Sequence, residues 1–142
     1  MKNIITLSLL LSFSFGLISC GSKTSPTQIQ DSSMPPNIRS FPLAYAQVWD
    51  IILETVQYDF LLEVEIQDRR KGYFSTIMIR DFVNNQKVKF RVSGTFSYDG
   101  QSTIVKLYKH EEVEEDGYWK AVPSDNRMER EILQKAAQRL GQ

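Results

Sequence analysis

Seventeen basic and seventeen acidic side chains balance over 142 residues, so no broad field draws the chain to nucleic acid. One cysteine excludes an internal disulfide, and one histidine excludes a histidine-pair metal site. No glycine-rich phosphate loop and no calcium-loop spacing of carboxylates is present.

Lys2 opens the chain with a positive charge, and Ile4 to Leu17 follows as an apolar run broken by serines and a glycine. A membrane-spanning helix needs ~20 apolar residues, so this run reads instead as the core of a secretory signal. Leu17-Ile18-Ser19-Cys20 closes it with an aliphatic residue, a tolerant position, a small residue and the sole cysteine. This tetrapeptide resembles the lipobox of bacterial lipoproteins. The resemblance implies cleavage between Ser19 and Cys20, a diacylglycerol on the Cys20 sulfur and acylation of the new amine. Two or three acyl chains make a durable membrane anchor where one is marginal. Gly21 follows the cysteine. In enterobacterial lipoproteins a residue other than Asp there favours the outer membrane, which makes that membrane the expected location.

Residues 1–19 are therefore read as a cleaved signal. That leaves 142 − 19 = 123 residues, enough for one domain. Residues 20–40 are rich in Ser, Pro, Thr and Gln without apolar period, and read as the lipidated cysteine with a flexible tether. Residues 41–142 read as a single domain.

From Pro42 to about Tyr58, Tyr45, Val48, Trp49, Ile52 and Val56 form one helical stripe, with Trp49 as a core anchor. Phe60 to Gln67 alternates as a half-buried strand, placing Phe60, Leu62, Val64 and Ile66 on one side. Asp68-Arg69-Arg70-Lys71-Gly72 is a turn. Tyr73 to Val83 is a second strand with apolar residues on both faces, which suits a sheet centre or a sheet covered on both sides. Asn84-Asn85-Gln86 turns into Lys87–Tyr98, where Val88, Phe90, Val92, Gly94, Phe96 and Tyr98 share a face. Asp99-Gly100 predicts a tight type I′ hairpin. Gln101 to about Val113 returns, Glu114 to Gly117 turns, and Tyr118–Val122 is a short fifth strand. Ser124 or Asp125 caps a final helix carrying Met128, Ile132, Leu133, Ala136, Ala137 and Leu140. The order predicts a two-layer α+β domain: an antiparallel meander of four to five strands packed by an N-terminal and a C-terminal helix.

Few residues suggest chemistry. His110 stands beside Glu111 and Glu112 and reads as a solvated strand-edge residue, with no nucleophile motif near it. No catalytic residue, metal ligand or cofactor is expected. Two charge clusters remain, and they are the candidate partner-docking residues: the basic turn Asp68, Arg69, Arg70, Lys71, and the acidic stretch Glu111, Glu112, Glu114, Glu115. The row Lys87, Lys89, Arg91 reads first as edge protection, and on a sheet face as a contact for anionic lipid headgroups or lipopolysaccharide.

Tyr45, Val48 and Trp49 on a helix, then Asp68, Gly72 and Thr76 around a turn between strands, resemble a domain of BamC (NlpB) type envelope lipoproteins. The likeness covers about a third of the mature chain. BamC-like proteins carry a long extended segment and two such domains, whereas this chain has a short tether and room for one. The resemblance implies a non-enzymatic domain facing the periplasm from the outer membrane, binding an envelope protein in outer-membrane assembly or maintenance. The aromatic content of the sheet (Phe90, Phe96, Tyr98, Tyr108) motivates the alternative, a carrier of lipid or another small apolar ligand.

Overall fold

A computed structural model of the protein describes residues 34–142. Cys20, Ser19 and the signal lie outside the described residues. Two long strands form the spine, β5 (Gln86–Tyr98) and β6 (Thr103–Glu115), each of 13 residues. They pair antiparallel from Val88–Val113 to Tyr98–Thr103. The alternation of Lys87–Tyr98 builds this hairpin, since period-2 patterning gives one apolar and one polar face.

Each outer side of the spine carries two strands, one behind the other. Beside β5 stand β3 (Tyr73–Thr76) and then β4 (Ile79–Val83), with β2 (Val64–Asp68) outside β3. Beside β6 stand β1 (Ile38–Phe41) and then β7 (Tyr118–Val122). The sheet thus has seven antiparallel strands rather than four or five. β2 to β7 keep the expected meander, and β1 is the addition. It takes Ile38–Ser40 out of the expected tether and pairs them with Ile104–Lys106.

A bulge explains the apolar residues on both faces of Tyr73–Val83. Ser75 pairs with Ser93 and Ile79 with Phe90, so four steps on one strand oppose three on the other. One extra residue reverses the inside–outside alternation. Phe74 and Ile79 both face the helices, although five positions separate them. Of the two readings from sequence, β3 fits the interior strand, between β5 and β2, and double cover of the sheet is not needed. The bulge is held by Thr76, whose hydroxyl accepts the buried Val92 N–H at 3.0 Å. Thr76→Val keeps the shape and removes the acceptor. Leaving that N–H unpaired should lower unfolding stability by about 1–3 kcal/mol in urea denaturation, with Thr76→Ser closer to the parent.

A second register shift lies between Val64 and Ile66. It turns Ile66 to the solvent face, 47% exposed, where alternation placed it inside. Phe60 and Leu61 are not strand residues. They leave the first helix, and Leu61 takes a positive φ of 54°.

The helices cover one face. α1 (Tyr45–Glu54) buries Val48, Trp49, Ile52 and Leu53. It starts later than Pro42, because Phe41 belongs to β1, and widens into a π turn at Thr55–Asp59. α2 (Arg127–Arg139) buries Ile132, Leu133, Ala136 and Ala137, and the Asp125 carboxylate accepts the Arg127 N–H at its start. Both pack on Phe41, Phe74, Val92, Phe96, Val105 and Leu107. No helix among the described residues is long and apolar enough to cross a membrane.

The turns also differ from expectation. Paired positive φ values, which a type I′ turn requires, occur at Asn84–Asn85 and Asp116–Gly117. Asp99-Gly100 lies in a four-residue loop instead. The Asp99 carboxylate accepts the N–H groups of Gln101 and Ser102, at 2.9 and 2.7 Å. Those two bonds favour the ionised form and hold Asp99 below the usual carboxylate range.

Candidate functional site

The basic turn between β2 and β3 is tied to α1. The Arg69 guanidinium lies 3.4 Å from the Asp50 carboxylate and donates to the Ala46 carbonyl, while the Arg69 carbonyl accepts the Tyr45 hydroxyl at 2.6 Å. Partial burial raises the Tyr45 pKa; Arg69 opposes that rise and Asp68 adds to it. Asp68 accepts the Lys71 and Arg70 N–H groups, at 3.0 and 3.1 Å, and is held below its ordinary range chiefly by the Lys71 bond. Gly72 is required here. It has φ +64°, and a Cβ would lie 2.5 Å from the Phe96 carbonyl oxygen. Asp68 and Arg69 are thus engaged within the fold. Arg70 and Lys71 are exposed, and Lys71 lies 3.6 Å from Asp68.

The acidic cluster runs along β6, and every member has a lysine partner. Lys89 meets Glu112 at 2.7 Å, Lys87 meets Glu114 at 2.6 Å, Lys109 pairs with Glu111, and Lys120 with Glu115. Alternation puts Glu111 and Glu115 on the helix side, and Glu112 and Glu114 on the other. The row Lys87, Lys89 is therefore neutralised across the ladder. Asp68 aligns with Tyr73 and Thr95, and Glu112 with Lys89. Six positions along β5 separate those rows, about 20 Å. The fold does not bring the two clusters together. His110 is exposed and lies opposite Arg91.

Sequence reasoning missed the far end of the spine. There β4, β5, β6 and β7 form a four-stranded arm beyond the main core. Val88 and Val113 face each other in it, buried but outside the main cluster. On the helix side of the arm, Tyr118 is 76% and Val83 49% exposed. On the opposite side, Phe82 is 69% exposed and Trp119 lies under the Lys89 ammonium, 4.6 Å from its ring centroid. Exposed aromatic residues grouped at one end of a domain mark interaction surfaces. The sequence carried a signal for this in Tyr118-Trp119, two large aromatic residues next to a tight turn.

A depression of about 480 Å³ lies between α1 and β2. Trp49 and Leu53 line it together with Asp50, Glu54, Gln67 and Arg69. Its polar rim is unlike the enclosed apolar cavity that a lipid carrier needs. No group of three metal-ligating side chains occurs among the described residues. No family model matches the chain, and no curated protein matches it in sequence.

Proposed function

We propose that the protein is a non-enzymatic lipoprotein of the bacterial outer membrane, anchored through acyl chains on Cys20. Its α+β domain faces the periplasm and docks a protein partner in envelope assembly or maintenance. The lipobox-like tetrapeptide and the BamC-like pattern support the location. The observation that carries the docking role is the apolar surface on the helix side of the arm, where Tyr118 and Val83 are exposed beside the Val88–Val113 pair. Two ion pairs flank it, Lys109 with Glu111 and Lys120 with Glu115, and Asp81, opposite Val88, adds one acidic side chain. An apolar patch whose flanking charges are mostly paired favours a protein surface, because aromatic anchors carry most interface energy.

In-cell photocrosslinking from Tyr118 and Arg70, with membrane fractionation of the same cells, tests this. The expected result is a discrete protein adduct from Tyr118 in the outer-membrane fraction, and none from Gln134 on the solvent side of α2. A soluble protein, or equal adducts from all three positions, would overturn the reading.

A further inference from the structure

The face of the sheet opposite the helices carries a charge asymmetry that the whole chain lacks. Pairing register places Arg80, Arg91, His110 and Lys106 on it, around Tyr108. Asp68, Glu112 and Glu114 share this face, and each is paired with a lysine. Among the described residues, Arg80, Arg91 and Lys106 take part in no ion pair. Two aromatic rings sit among these cations as interfacial side chains do: Tyr108, 5.2 Å from the Lys106 ammonium, and Trp119. Phe82 completes the far end.

We infer that this face seats on an anionic phospholipid surface. Three observations select lipid over other occupants. Uncompensated cations interleaved with aromatic rings match a negatively charged headgroup layer. The face runs along the two spine strands from Lys106 to Glu114 and on to Trp119. The chain joins it at one side, where Asn37 exchanges hydrogen bonds with Leu107 at 2.9 Å, next to Lys106. From Cys20, the proposed anchor, to Met34 is about 14 residues, at most roughly 50 Å. The membrane is therefore within reach of this face. The inference takes only membrane attachment from the proposed function. It leaves the opposite side of the arm, with Tyr118, free for a partner.

The test reconstitutes the full chain in vesicles and follows quenching of tryptophan emission by brominated lipid. Trp49 is 3% exposed and stays shielded, so Trp119 is the reporter, and Trp119→Phe verifies this. In vesicles rich in phosphatidylglycerol, Trp119 is quenched. In pure phosphatidylcholine, or at about 0.5 M salt where screening falls to a few Å, it is not. Arg80→Gln, Arg91→Gln and Lys106→Gln together shift the seated-to-unseated equilibrium by roughly 100-fold and abolish quenching. Arg80→Gln with Lys106→Gln, which spares the half-buried Arg91, shifts it by roughly 25-fold. Equal quenching in both lipids would overturn the inference in favour of apolar contact. No quenching in either, with a protein adduct from Tyr108 in cells, would overturn it in favour of an acidic protein. Neither outcome alters the Tyr118 adduct, so the two readings fail separately.

Discussion

Gly94→Ala is expected to destabilise the domain by about 1–3 kcal/mol, although the change adds one methyl group. Gly94 stands on the helix side of β5, opposite Leu107 and beside Phe74. A Cβ there would lie 2.3 Å from Phe74 Cε1 and 2.9 Å from Leu107 Cδ2. Both side chains are fully buried, and the Phe74 ring packs at 6.1 Å from that of Phe96. The ring has nowhere to turn, so the strand must move. Urea denaturation should show a lower midpoint with an unchanged slope. Adding Phe74→Leu to Gly94→Ala removes the clashing ring atom. The pair should be more stable than the sum of its single losses, since residues in contact are not additive. A Gly94→Ala protein as stable as the parent would contradict this packing.

Trp49→Ala should have the largest effect, about 3–5 kcal/mol. Trp49 is the point where α1 meets the sheet. Its ring lies 4.7 Å from that of Phe96 and 6.0 Å from that of Tyr45. Removing it leaves a cavity between a helix and a strand, and the helix has only 10 residues with which to follow the collapse. Against a typical domain stability of about 5–15 kcal/mol, the loss should lower the melting temperature by roughly 10–20 °C. Trp49→Phe keeps the stacking partner and should lose less than half as much. Near-ultraviolet circular dichroism would register the difference, because Trp119, the other tryptophan, is not in the core.

The helices and the spine were legible because each declares itself locally. Val48, Trp49, Ile52 and Val56 recur at helical spacing, and Val88 to Tyr98 alternates without interruption. β1 was not legible, since Ile38-Arg39-Ser40-Phe41 holds only two apolar residues and its partner lies far along the chain. The bulges were hidden for another reason. One extra residue leaves no mark on composition, only on which face later residues occupy, so alternation put Ile66 on the wrong side and left Tyr73–Val83 with apolar residues on both faces. Of the candidate docking residues, the sequence showed the acids of β6 but not their lysines. Lys87 and Lys89 lie more than twenty positions away, and only the antiparallel register brings them opposite Glu114 and Glu112. The aromatic arm was unread because nothing in the sequence says where the helices stop covering the sheet.

The strand that the sequence concealed has a kinetic consequence. Ile38 pairs with Lys106, 106 − 38 = 68 positions later, whereas β5 and β6 meet across a four-residue loop. Closing so long a segment carries an entropic cost of roughly 3–4 kcal/mol, so the hairpin should form early and β1 should dock late. A chain delivered from its N-terminus therefore makes β1 first and locks it last. Until then the lower edge of β6 stands open to any β1, including that of a neighbouring molecule. Exchange of this strand between chains, hinged at Pro42–Ala44, is the route by which crowded nascent copies would link into dimers.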